Sequence, residues 1–269
     1  MSVLAKNAPI GVLDSGVGGL SVLKHLQKML PGEDFIFLGD TARTPYGTRT
    51  EAEIRGFVEE MLCWMEKQGV KMVVIACNTL TMLGVETLQK QHPMLLVGMS
   101  KGENLLDVAS RARKVGVFAT PFTISTGAHK KAIHEVDPQL EVYPVPCAKF
   151  VPLIEGEQFG SPAVKEAVHE YAQVLKKAGA DAVILSCTHY PFLKKEIAEE
   201  LGADVRIIDP AQETSMLAKK VLEVLGLLKT EGPGSLHICC TADKERVARL
   251  YRHMLPEVKA DFEVINLQA

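Results

Sequence analysis

A chain of 269 residues, 47% hydrophobic and 23% charged, is long enough for one large domain or two modest ones. Its net charge of −3 makes no electrostatic case for nucleic acid or an anionic membrane surface, and no apolar run reaches the roughly 18 residues of a spanning helix. The amino terminus lacks the basic region and apolar core of a signal peptide, and Cys63, Cys77, Cys147, Cys187, Cys239 and Cys240 form no CxxC pair, so reduced thiols in a cytoplasmic protein are the simplest reading.

Pro9 to Asp14 reads as a strand that ends in the turn Asp14-Ser15-Gly16-Val17-Gly18-Gly19, and Leu20 to Leu30 has helical spacing. Main-chain donors in such a turn suit a carboxylate or phosphate. The dinucleotide fingerprint is absent, because Ser21 stands where the third glycine would be. The plainer reading of Asp14 is a helix cap. Asp34 to Asp40 is the next strand, and it leads into a Pro- and Gly-containing loop with Arg43 and Tyr46. Arg43 reads as a structural ion-pair residue in preference to a substrate clamp. A helix over 50–68 precedes an apolar strand ending in Cys77-Asn78-Thr79, a helical run over 80–91, and a strand over 95–98.

The pattern then begins again. Lys114 to Ala119 is a strand ending at Thr120-Pro121-Phe122-Thr123, with a helix over about 126–135. Leu140 to Pro146 has the prolines of an edge strand, and Cys147 and Glu155 follow in a loop region with Pro152. A helix over 163–178 precedes the strand Asp181 to Ser186, which ends in Cys187-Thr188-His189-Tyr190, and Pro191 opens another helix. Asp204 to Asp209 is the counterpart of the strand over 95–98. Lys- and Glu-rich helical stretches over 194–200 and 219–223 read as solvated faces.

Strands alternating with helices indicate an α/β fold: two similar doubly wound parallel-sheet domains, related by a pseudo-two-fold, with an active site in the cleft between them. The expected domains are 1–98 plus 210–269, carrying Asp14 and Cys77, and 99–209, carrying Cys187 and His189. The tail, with strands near 235–240 and 262–266, is expected to return to the first sheet.

A lone buried cysteine usually acts as a small hydrophobe, and that reading holds for Cys63, Cys147, Cys239 and Cys240. Cys77 and Cys187 differ because each ends a strand and is followed closely by a threonine, 187 − 77 = 110 positions apart. Two thiols on opposite faces of a tetrahedral carbon can remove a proton from one side and return one from the other, which inverts the stereocentre. One must be thiolate while the other is thiol, and Asp14 and His189 are placed to set those states. Donors from Ser15, Asn78, Thr79, Thr120, Thr123 and Thr188 can hold a carboxylate and stabilise the carbanion.

Asp14-Ser15-Gly-Val-Gly-Gly, Gly39-Asp40-Thr-Ala-Arg-Thr-Pro45-Tyr46-Gly47, Ala76-Cys77-Asn78-Thr79 and Cys187-Thr188-His189-Tyr-Pro together resemble glutamate racemases, of the cofactor-independent aspartate/glutamate racemase superfamily. The resemblance runs from about Pro9 to the last strand. It implies a PLP-independent enzyme that interconverts L- and D-glutamate and supplies D-glutamate for peptidoglycan in the cytoplasm. It implies no cofactor, no metal, no membrane or nucleic-acid partner, and a homodimer. It further implies Cys77 and Cys187 as the two bases, with Asp14, His189 and Glu155 assisting. Ser15, Pro45, Tyr46, Gly47, Asn78, Thr79 and Thr188 would bind substrate, with Thr120 and Thr123 lining the pocket. Three positions depart from the family pattern: Ser186 replaces the usual glycine, Met99-Ser100-Lys101-Gly102 replaces an acidic-Pro-Gly turn, and Ala148 replaces the proline after Cys147. Four alternatives stay open: another substrate such as aspartate, a decarboxylase or isomerase of the superfamily, zinc held by Cys77, Cys187 and His189, and a partner-binding protein such as a gyrase inhibitor.

Overall fold

The computed structural model describes residues 5–105 and 110–267. Its strands are β1 (Ile10–Asp14), β2 (Phe35–Gly39), β3 (Met72–Ile75), β4 (Leu95–Gly98), β5 (Lys114–Ala119), β6 (Glu141–Pro146), β7 (Ala182–Ser186), β8 (Arg206–Ile208), β9 (Leu236–Cys240) and β10 (Asp261–Val264). Every strand pairing among the described residues is parallel. One sheet runs β10-β9-β2-β1-β3-β4 and the other β6-β5-β7-β8. The chain divides into two compact units, Met1–Met99 with Ala211–Ala269, and Ser100–Pro210. The tail strands do return to the first sheet, where β9 lies beside β2 and β10 forms the edge.

The first four strands of each unit repeat one order, second-first-third-fourth: β2-β1-β3-β4 and β6-β5-β7-β8. That is the duplication expected from the sequence. In such an order, the connections from the first and third strands leave toward opposite faces. The gap between their carboxyl ends is the usual ligand site of an open α/β sheet. Asp14 and Cys77 flank that switch point in the first unit, and Thr120 and Cys187 flank it in the second.

Strands β1, β3 and β7 are buried along their whole length, as parallel strands covered on both faces must be. The core of the second unit gathers Val115, Val117, Ala119, Ala182, Ile184 and Ile208 from the sheet with Ile133 from the covering helix Ala128–Val136.

Four local expectations need correction. The run over 80–91 is not one helix: Gly84, with φ +92°, separates Asn78–Thr81 from Val85–Gln89. The helix expected from about 126 begins at Ala128, after a separate short helix, Pro121–Ser125, capped by Thr120. The segment carrying Glu155, read as a loop because of Pro152, is the helix Phe150–Glu155. Pro152 sits in its first turn, where the missing N–H would have had no helical partner. Finally, Pro191 lies in a 3-10 turn, Tyr190–Leu193, and the α-helix starts at Lys194.

Candidate active site

In the first unit β1 delivers Asp14, fully buried, to the switch point. Asp14 Oδ1 accepts from the main-chain N–H of Gly16 at 2.7 Å, so the carboxylate organises its own turn. It does not cap the following helix, Leu20–Met29, whose N-cap is Gly19 with no side-chain bond. Gly39 makes this turn possible: a Cβ there would lie 2.4 Å from the Gly16 carbonyl oxygen. Adjacent β3 ends just before Cys77, and the Cys77 thiol lies 3.5 Å from Ser15 Oγ. Thr81 Oγ1 donates to the Cys77 carbonyl at 3.0 Å and accepts from the Met99 N–H at 3.0 Å, pinning the thiol's turn to the end of β4. Asn78 and Thr79 are buried in the same short helix.

Asp40, at the end of β2, accepts from Tyr46 Oη, from Arg43 Nε at 2.5 Å and from Thr241 Oγ1 at 2.8 Å. Arg43 also binds Glu60 at 2.6 Å and lies 4.1 Å above the Phe57 ring. Arg43 is thus the structural residue the sequence indicated. The Tyr46 hydroxyl is likewise committed to the scaffold, and burial together with Asp40 pushes it far above its ordinary range. Pro45, half-buried, and Tyr46 and Gly47, both buried, form the start of a 3-10 turn.

The second unit builds a different environment around its thiol. Cys187 Sγ lies 4.0 Å from His189 Nδ1, and His189 Nε2 donates to Glu155 Oε1 at 2.7 Å. Thiol, imidazole and carboxylate therefore form one line, with the His189 and Glu155 side chains only 2% and 6% exposed. Burial alone would push His189 down; the contacts with Cys187 and Glu155 outweigh it and hold the imidazole well above its ordinary value. Tyr190 Oη donates to the Cys147 carbonyl at 3.1 Å, and burial with the neighbouring Cys187 and Cys147 pushes its ionisation far up. Burial first, then Cys187, does the same to the Cys147 thiol, which fits the plain reading of Cys147 as a hydrophobe. Thr120 Oγ1 donates to Thr123 Oγ1 at 3.0 Å, and Thr188 is buried beside Cys187.

Sequence reasoning missed one group. His129, in the first turn of the Ala128–Val136 helix, is hydrogen-bonded through Nε2 to Ser186 Oγ, and both are buried. Ser186 stood out as a departure from a family pattern, but nothing in the sequence links it to a histidine 57 positions earlier.

A hollow of about 590 Å³ on the first unit is lined by Ser235, Leu236 and Asp261 at the amino ends of β9 and β10. It is at the wrong edge of the sheet for chemistry at Cys77. Among the described residues His237, Cys239 and Glu263 hold donor atoms within 4.8 Å of one another. His237 Nε2 and Glu263 lie 2.9 Å apart across neighbouring strands, an ordinary edge-strand hydrogen bond.

The Asp/Glu/hydantoin racemase family model matches residues 10–218. The chain belongs to that family. Among curated members, the glutamate racemase of Microcystis aeruginosa is 41% identical over 251 residues, covering 92% of this chain and 88% of that one. That of Lysinibacillus sphaericus is 40% identical over 223 residues, covering 82% and 84%. Among solved structures, a glutamate racemase isoform from Bacillus anthracis superposes with a TM-score of 0.90 at 32% identity, covering 97% and 98%. The glutamate racemase of Francisella tularensis in complex with D-glutamate gives 0.88 at 34% identity, with the same coverage. Beside the thiol-bearing turns, Ser186 has a buried histidine partner and the Met99 N–H is held by Thr81.

Proposed function

We propose that this chain interconverts L- and D-glutamate without a cofactor, using Cys77 and Cys187 as the two acid/base groups. The observation that carries the reading is the equivalence of the two thiols. Each is buried at the carboxyl end of the third strand of a repeated strand order, beside the switch point, and each has a different polar partner.

One thiolate takes the α-proton and the other thiol delivers a proton to the opposite face of Cα. Turnover in one direction leaves the enzyme ready for the other. His189, held by Glu155, is the counter-ion and proton relay for Cys187. Asp14, with Ser15, sets the protonation of Cys77. We assign the substrate's carboxylates and amine to Ser15, Asn78, Thr79, Thr120, Thr123 and Thr188 and to the Pro45-Tyr46-Gly47 turn. Because the Tyr46 hydroxyl is committed to Asp40, that turn contributes through its main chain and shape.

The glutamate racemases among its relatives support glutamate as the substrate, and with it a supply of D-glutamate for peptidoglycan. No helix among the described residues is long and apolar enough to cross a membrane. We infer a cytoplasmic enzyme acting as a homodimer, with no metal.

The test is proton NMR of L-glutamate with metal-free enzyme in D2O, with a chiral assay of the product. Loss of the α-proton signal as D-glutamate appears is the expected result. Exchange with aspartate alone would replace the substrate, and exchange with no amino acid would end the racemase reading.

A further inference from the structure

Ser186 is the last residue of β7 and directly precedes Cys187. Side chains alternate along a strand, so Ser186 shares a face with Ala182 and Ile184, the apolar face covered by Ile133 of the Ala128–Val136 helix. A hydroxyl and an imidazole are thus buried together in an otherwise apolar layer, where each is costly unless it is hydrogen-bonded. They bond to each other.

The pair also closes a circuit. Ala119, at the end of β5, is the register partner of Ser186. Thr120, next in the chain, bonds to Thr123 at 3.0 Å; Thr126 Oγ1 donates to the Thr123 carbonyl at 2.7 Å and accepts from the Ala128 N–H at 3.3 Å. His129 follows Ala128 and returns to Ser186. The ends of β5 and β7 are therefore tied through a chain of short polar links, one residue before the thiol. On the far side of Cys187, the Tyr190 N–H bonds to the Cys187 carbonyl at 3.0 Å.

The contact this frame supports has little tolerance. At 4.0 Å the Cys187–His189 approach is long even for a hydrogen bond to sulfur, so displacing the strand end away from His189 would weaken it.

We propose that His129 is a positioning residue for Cys187: by holding Ser186 Oγ it fixes the strand end from which the thiol reaches His189. This rests on the racemase reading for the catalytic role of Cys187. His129 acts by geometry and not by charge. Burial, with Lys101 nearby, lowers it to about 4, so the imidazole is neutral in the working range. An alanine at 186 would fill the layer without a polar partner, but it would leave the strand end without this directional tie.

The test uses His129→Phe, which keeps a ring but no donor or acceptor, His129→Gln, whose amide can still bond Ser186, and Ser186→Ala. In each protein the iodoacetamide alkylation rates of Cys187 and Cys77 are read separately by peptide mass spectrometry, with Cys77 as the internal reference. Steady-state kinetics with glutamate run alongside. For His129→Phe and Ser186→Ala we expect the Cys187-to-Cys77 ratio to change at least about threefold. We also expect kcat to fall about tenfold with KM within about twofold, modest beside the hundredfold that a 1 Å misplacement can cost. The Gln variant should stay within about threefold of wild type. The double variant should be no worse than the poorer single, because the two residues act as one unit.

An unchanged reactivity ratio and unchanged kcat in both disruptive variants, whatever their melting temperatures, would overturn the proposal. So would a parallel change at both cysteines. If the Phe variant does not fold, Ser186→Ala, which removes a single oxygen, decides the matter alone. Absence of turnover of any amino acid by the wild type would refute the racemase reading, while the alkylation ratio would still judge the positioning.

Discussion

Glu155→Gln is the sharpest probe of the Cys187 half-site. The change keeps the shape and an oxygen that can accept from His189 Nε2, but it removes the charge 2.7 Å from the ring. Both side chains are almost wholly buried, so solvent screening does not dilute the loss. A hydrogen bond to a charged group contributes about 1.5–3 kcal/mol, and at about 1.4 kcal/mol per decade the change should lower kcat roughly 10- to 150-fold. Losing the carboxylate removes one of the two contacts that outweigh burial and leaves Cys187 as the other, so His189 should fall from its raised value and the basic limb of the kcat–pH profile should move to lower pH. Stability gives an independent reading. His189 is raised above its unfolded value, so its contribution is complete below about pH 6.5 and is lost as pH rises through the folded value. The gap between wild type and Glu155→Gln in urea unfolding should therefore be widest on the acid side of neutrality, while Glu155 stays ionised, and should close as pH rises. A variant with kcat within threefold of wild type and an unmoved basic limb would refute the relay.

The two thiols give the next prediction: Cys77→Ser and Cys187→Ser should each abolish racemisation in the chiral assay, with urea midpoints close to wild type, since each swaps one atom. Lys71 is a scaffold test. Its fully buried ammonium binds Glu33 at 2.6 Å and the carbonyls of Lys6 and Leu227 at 2.7 and 2.9 Å. Lys71→Met leaves Glu33 buried without its cation and should cost about 3–5 kcal/mol in urea unfolding, with little change in KM for whatever enzyme remains folded. His129 sets an acid limit. Its folded value of about 4 lies below the unfolded 6.5, so stability is complete above pH 6.5 and falls as pH drops toward 4. At about 1.4 kcal/mol per unit that comes to about 3 kcal/mol, opposite in sign to the His189 contribution. His129→Gln should flatten this slope in urea titrations between pH 4 and 6.5.

What the sequence made legible follows from range. Strand ends, turns and the duplication are local or periodic, so Asp14, Cys77, Cys187 and His189 could be placed at strand ends from pattern alone. Glu155 was different. Pro152 signals a break, and only the structure shows that the proline falls in a first helical turn and brings Glu155 onto His189. The Ser186–His129 pair spans 57 residues and the Arg43–Glu60 contact 17, and neither spacing carries a periodic mark. Tyr46 shows a different limit of motif reading. Its motif points to substrate, yet its hydroxyl bonds Asp40, a partner visible only once β2 and the following turn are folded.

The duplication also explains why two similar halves are not redundant. A two-thiol racemase needs one thiolate and one thiol at the same moment, and two identical environments would favour the same state at both. Here the repeated strand order supplies equivalent positions, while the residues at the loop tips make them unequal. Cys77 faces the Ser15 hydroxyl, with the buried Asp14 carboxylate ending the neighbouring strand. Negative charge there disfavours a second anion. Cys187 faces an imidazole that its contacts with Cys187 and Glu155 hold well above its ordinary value. The same asymmetry places the cost of a misplaced strand end on Cys187, because its 4.0 Å approach to His189 is set by where the end of β7 places the thiol.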